Sequence, residues 1–139
     1  MALPNPAPRI DAGLLVLRLT IGVLLLMHGV SKVQHGIAWM SGPISSVGLP
    51  TYVAYGVYIG EILAPLLLII GLWTRLAAVV IMIDMIMAIF LVRHADIGKI
   101  GMSGGWAIEL EALFLFGALA IALAGGGRFA PGKPATSRR

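Results

Sequence analysis

The chain contains no cysteine. That excludes disulfides, thiolate metal sites and cysteine-ligated iron–sulfur clusters, and it leaves the redox compartment unread. Charge is the second scarcity: 12% of residues are charged against 59% hydrophobic, and the mean hydropathy is +0.98. An ordinary soluble domain carries about 25% charged residues, so a surface fit for water is excluded and the chain is expected to be integral to a membrane. A removable leader is also missing. MALPNPAPRID offers prolines and one arginine in place of a basic n-region, and no clean small-residue cleavage site follows the first apolar run. That run is expected to stay as a span. No internal repeat shows.

What is present is apolar sequence in span-sized lengths. A spanning helix needs roughly 20 mostly apolar residues, and four segments qualify, over residues 13–32, 52–73, 76–93 and 106–124. Thr74-Arg75 reads as the short link between the second and third, while SGPISSVGLP (Ser41 to Pro50) and IGMSGG (Ile100 to Gly105) read as loops. The expected fold is all-α, an integral membrane four-helix bundle forming one domain over residues 1–130, with a basic, disordered tail over 131–139.

Orientation follows from lysine and arginine beside the spans. Arg9, Arg75, Arg128, Lys133, Arg138 and Arg139 collect on one side, and Lys32, Arg93 and Lys99 on the other. Both termini are therefore expected in the cytoplasm. The sequence pI near 10.0 then belongs to a tail beside anionic lipid. The tail has no aromatic interleaving, so nucleic acid is not an expected partner.

Charges inside the spans are the informative residues, because an ionisable group in lipid faces the bundle interior, pairs, or marks a site. By helix rise, Arg18 and Asp84 stand at similar depth in the inner half and are expected to form a structural ion pair. The outer half is denser. His28 and Lys32 project to one side of the first span at i,i+4, Glu61 lies mid-way along the second, Arg93 and His94 end the third, and Glu109 and Glu111 open the fourth.

Glu61 is too deep to reach water by stretching, so it must be neutral, paired or facing a cavity. Tyr58, one turn before it, can offer a hydroxyl. Pro65, four residues after it, lacks the N–H that would bond the Glu61 carbonyl, which frees that oxygen and bends the helix. Glu109 and Glu111 stand about 200° apart on a helix, so only one can face the bundle centre. Gly56, Gly60 and Ala64 form a small-residue stripe for close helix packing, with a looser version at Gly22 and Gly29. Met82, Met85 and Met87 read as filler and Trp39, Trp73 and Trp106 as interfacial anchors.

Three stretches carry a resemblance: LRLTIGVLLLMHGVSK (Leu17 to Lys32), GLPTYVAYGVYIGEILAPLLLIIGLWTRLAAVVIMIDMIMAIF (Gly48 to Phe90) and GGWAIELEALFLFGALAIALAGGGRFA (Gly104 to Ala130). With H-G-x-x-K leaving the first span, a mid-span Glu followed by G-L-x-T-R, and E-L-E-A-L entering the last, the chain resembles the DoxX family of small four-span membrane proteins. Asp84 departs from the family pattern, where an apolar residue is expected.

The resemblance implies a bacterial inner-membrane protein. The family takes its name from a subunit associated with membrane thiosulfate:quinone oxidoreductase, and relatives are described around oxidative-stress and thiol-redox complexes. A quinone head group needs donors for two carbonyls, a proton-exchanging acid or imidazole, an aromatic wall and access from lipid. Glu61, His28 and Lys32 are the candidate chemical residues, with Tyr58, Glu109, Glu111 and His94 as candidate ligand contacts. The expected function is a quinone- or quinol-linked redox subunit working with a partner redox protein. The alternative is a non-enzymatic scaffold, or a carrier of small solutes, whose buried charges are structural. Haem held by His28 and His94 is disfavoured because His94 sits at a helix end, and no metal is expected. The sequence leaves room for a homo-oligomer.

Overall fold

The computed structural model describes residues 7–131. The expected disordered tail, with Lys133, Arg138 and Arg139, lies outside the described residues. Among the described residues the fold is all-helical, with one isolated bridge between Ile100 and Trp106 as its only β pairing. The long helices are α1 (Ala7–His35), α3 (Thr51–Ile70), α4 (Thr74–Val92) and α5 (Glu109–Ala124), with α2 (Ser41–Ser46) a short helix after the first span. α1, α3 and α4 are long and apolar enough to cross a bilayer. The fourth helix, α5, is shorter at 16 residues, about 24 Å of rise.

Local chemistry fixes the boundaries. α3 ends at Ile70 because Gly71 takes a left-handed conformation (φ 87°), letting the Gly71 and Leu72 amides fold back onto the Leu67 carbonyl at 2.9 and 3.0 Å. The link is therefore Gly71–Leu72–Trp73, and Thr74-Arg75 opens α4 instead of joining two spans. α5 starts three residues later than the sequence predicts. Trp106 is held in the preceding loop, where its backbone bridges Ile100 and its indole N–H donates to the Ile97 carbonyl at 2.6 Å. Part of the stretch read as a plain loop, Ser41–Ser46, is helical.

The four long helices enclose an apolar centre of Leu25, Leu68, Ile81, Phe114, Ala118 and Ile121. Residues such as Val16, Met27, Leu66, Val79, Ile83 and Leu113 point outward, toward lipid in an integral membrane bundle. A second cluster, Ile37, Met40, Ile44, Ala54 and Val57, seats α2 over one end. At the other end the Arg128 amide donates to Asp11 Oδ1 at 2.9 Å, so the start of α1 and the segment after α5 share one end of the bundle.

Candidate functional site

The site grows from an irregularity in α3. That helix opens as a 3-10 turn, passes through one α turn at Gly56–Tyr58, runs as a π-helix over Ile59–Leu63 and becomes regular α-helix from Ala64. Pro65 explains the switch, since without an N–H it cannot bond the Glu61 carbonyl, while the Ala64 amide reaches back five residues to Ile59. π-turns of this kind are rare and are frequent at functional sites. Glu61 sits inside this one. Its carbonyl points at Gly29 of α1, where a Cβ would collide with it, so the freed oxygen lies at the closest crossing of the two helices.

The Glu61 side chain is only 5% exposed, and its Oε1 is ion-paired with Lys32 Nζ from α1. Its Oε2 has no hydrogen-bond partner among the described residues. Both residues line a cavity of about 480 Å³, together with His28, Asp84, Arg93 and Glu111. Trp39 and Met40 contribute from the loop before α2, and Phe114 from α5. The volume lies within the roughly 300–1,000 Å³ common for small-molecule sites. Arg93 closes one side: its Nη2 donates to the Ala107 carbonyl at 2.6 Å, its Nε lies 3.0 Å from Asp96, and its Nη1 lies 3.8 Å from Glu111.

Sequence expectations sort clearly against this geometry. Lys32, Glu61, His28 and Glu111 meet at the cavity. His28 stands at its lip, edge-on to Phe114 with ring centroids 5.9 Å apart, and both rings also border a shallow outer groove beside Leu24, Met27 and Leu110. The cavity lining also includes Ile59 of α3 and Ile83 of α4, both exposed on the lipid-facing side of the bundle. Of the two span-four carboxylates it is Glu111 that turns inward; Glu109 folds over Gly105 in the loop. His94 begins an exposed 3-10 turn and does not line the cavity, because the span ends before it and the chain turns away. Tyr58 also misses the cavity. Its hydroxyl reaches the Lys32 carbonyl at 3.4 Å and ties α3 to α1.

The expected Arg18–Asp84 pair does not form. Arg18, 2% exposed, donates to the carbonyls of Gly126 (3.3 Å) and Phe129 (3.4 Å) and packs on Gly71. It therefore sits where α3 and α5 both end, and a cation is favoured at helix C-termini. Asp84 lies about ten residues, or roughly 15 Å of rise, beyond the start of α4, and its carboxyl packs on Gly60 at the far level of the bundle. Depth counted from span ends was misleading because the segment after α5 folds over Arg18 and supplies its partners. Asp84, expected as the partner of Arg18, instead lines the cavity, where Gly60, the small residue beside Glu61, lets its carboxyl approach.

With the geometry in place, the comparisons decide the family. The DoxX family profile matches residues 13–94. The chain belongs to the DoxX family. Among curated proteins, this DoxX chain is 35% identical over 86 residues to the Bacillus subtilis protein named "Putative oxidoreductase CatD", covering 60% of this chain and 61% of that one. It is 34% identical over 104 residues to an uncharacterized protein of Haemophilus influenzae, covering 72% and 76% of the two chains. It is 30% identical over 122 residues to an uncharacterized membrane protein of Mycobacterium tuberculosis, Rv3486, covering 81% and 75%. The alignment therefore spans less than two thirds of CatD and about three quarters of the other two relatives. No solved structure matches. The DoxX match contains Lys32, Glu61, Asp84 and Arg93 but stops before Glu111, so α5 completes the cavity from outside the matched residues.

Proposed function

We propose that this DoxX protein is the membrane subunit of a quinone-linked oxidoreductase, taking a quinone or quinol head group into the cavity while a partner redox protein supplies or accepts the electrons. One observation carries the reading. A carboxylate buried in a membrane bundle, Glu61, keeps one oxygen without a hydrogen-bond partner among the described residues and lines a cavity bordered by the lipid-exposed Ile59 and Ile83. An unpaired buried polar atom is costly, and a ligand hydroxyl there would satisfy it. The surrounding residues fit such a substrate: Lys32 and His28 can donate, Trp39 and Phe114 give aromatic walls, and most of the remaining lining is aliphatic. When bound, the head group supplies two-electron, two-proton redox chemistry. Glu61 would hold and release a proton, Lys32 would keep that carboxylate oriented, and the apolar lining would exclude water. The oxidoreductase name carried by CatD supports the same direction.

We place the protein in a bacterial inner membrane with both termini in the cytoplasm. Support comes from the sequence count of basic residues, Arg9, Arg75 and Arg128 at the Asp11 end with Lys133, Arg138 and Arg139 after them, against Lys32, Arg93 and Lys99, following the rule that cytoplasmic loops are basic. Reporter fusions should report Gly42 and Gly101 outside; a cytoplasmic Gly42 reverses the orientation.

A second reading has its own observation. Lys32–Glu61 joins α1 to α3, and Arg93 joins the end of α4 to Ala107 and Glu111, so the charges could serve only to lock helices in a scaffold or solute carrier. Glu61→Gln separates the two, because it keeps size and hydrogen bonding and removes the titrating proton. The redox reading expects a folded protein at wild-type yield that loses quinol binding and partner-dependent turnover. Intact binding and turnover, or losses that merely track the amount of folded protein, would favour the scaffold.

A further inference from the structure

Asp84 has no task in the function as proposed, yet it lines the same cavity, and its Oδ2 is buried without a hydrogen-bond partner among the described residues. Its position is built. Gly60 is the residue it packs on, and any Cβ there would meet the Asp84 carboxyl, so the carboxylate rests on the backbone next to Glu61.

The local charges do not balance. Three carboxylates, Glu61, Asp84 and Glu111, line the cavity with two cations, Lys32 and Arg93. Lys32 is taken by Glu61 Oε1, and Arg93 is held by Asp96, Glu111 and the Ala107 carbonyl. Among the described residues, Glu61 Oε2 and Asp84 Oδ2 are buried acceptor oxygens without a hydrogen-bond partner on residues that line the cavity, and Arg93 Nε is a buried donor without one. A ligand that offers only carbonyl oxygens can accept from His28, but it leaves both carboxylate oxygens unpaired and competes with Glu61 for Lys32. A ligand that offers two hydroxyls satisfies both.

We infer that the cavity selects the dihydroxy, quinol form of its substrate, with Glu61 and Asp84 as the two acceptors of its hydroxyl protons. The inference rests on the quinone-linked reading above and adds the redox state and a second acidic residue to it. On oxidation two O–H bonds break. Glu61 takes one proton, Asp84 takes the other, and the electron pair leaves to the partner redox protein. Lys32 remains a cation throughout and holds Glu61 in place.

The test is equilibrium dialysis of the full-length protein in lipid nanodiscs against a short-tailed benzoquinol, kept reduced under argon, and against its benzoquinone. Wild type should bind the quinol at least about tenfold more tightly than the quinone, the ratio expected from one charge-assisted hydrogen bond. Asp84→Asn should lower quinol affinity by about the same factor while leaving the quinone unaffected or improved, since an amide can donate to a carbonyl. Equal affinities in wild type, a preference for the quinone, or an unchanged ratio in Asp84→Asn overturn the inference while leaving quinone-linked function standing. Binding of neither form overturns both. If Asp84→Asn does not fold, the wild-type ratio alone decides.

Discussion

Gly29 of α1 lies directly against the backbone carbonyl of Glu61, the oxygen whose α-helical donor Pro65 cannot supply. The contact joins three sequence features into one device. Proline frees the carbonyl, the π-turn aims the Glu61 side chain into the bundle, and glycine brings α1 close enough for Lys32, less than one turn further on, to reach it. A Cα–H···O contact at such a crossing contributes at most about 0.5–1 kcal/mol, so the importance of Gly29 is steric.

Gly29→Ala is therefore expected to push α1 and α3 apart, costing about 1–3 kcal/mol as overpacking does elsewhere. Gly22→Ala should cost less, because the nearest atom it meets is a side-chain carbon of Ile69 at 2.7 Å and the nearest backbone atom, the Pro65 carbonyl oxygen, lies 3.1 Å away. Gly13→Ala, with nothing within 4 Å, should be neutral or slightly stabilising through helix propensity. Thermal unfolding in a single detergent ranks the three, and an undisturbed Gly29→Ala would refute the crossing.

Arg18 packs on Gly71 and Asp84 on Gly60, at different levels of the bundle, and the two should behave independently. Arg18→Ala removes donors to the Gly126 and Phe129 carbonyls and is expected to destabilise by about 2 kcal/mol, within the range for hydrogen bonds to charged groups. A double-mutant cycle with Asp84→Ala should give a coupling energy below about 0.5 kcal/mol, as for distant sites. A larger coupling would restore the ion pair that the sequence suggests.

That contrast also marks how far the sequence could be read. The apolar runs located all four long helices, because backbone groups in lipid must bond within their own segment. The consequence of Pro65 for the Glu61 carbonyl was equally legible, since it depends only on residues four apart. Helix rotation was not. Whether Tyr58 faces Glu61 or the end of α1, and which of Glu109 and Glu111 turns inward, depends on packing between helices that periodicity does not encode. Arg18 was misplaced for a different reason, because its partners come from the irregular segment after α5, which has no periodicity to read.

The turn after α4 should loosen in acid. The Asp96 carboxyl is held below the usual carboxylate range, first by its hydrogen bond from Lys99 at 3.1 Å and then by the charges of Lys99 and Arg93. A depressed carboxylate contributes its stability above the unfolded value, about 3.9, and loses it as pH falls through the lower folded value. Amide exchange across residues 93–99, corrected for intrinsic rates, should thus quicken relative to pH 6 only well into the acid range. Asp96→Asn should show the loosened turn at both pH values. A wild-type turn that opens near neutral pH would point to another group.

Lys32 and Glu61 offer the sharpest separation of structure from chemistry. Lys32→Met strands a carboxylate in the bundle, and removal of one partner from a buried pair costs about 3–5 kcal/mol. The lower end is expected, because the Lys32 side chain stays 21% exposed. Glu61→Leu leaves the ammonium better able to reach the headgroup region, so it should cost less than Lys32→Met. Combining the two replaces the pair with apolar side chains of similar volume, which is often neutral or better, and much of the single-variant loss should return. Unfolding midpoints for the two singles and the double give the coupling directly. Quinol dialysis on the double variant then completes the argument. A protein restored in stability but unable to bind quinol assigns the pair to the site, whereas one restored in both makes Lys32–Glu61 a helix lock and nothing more.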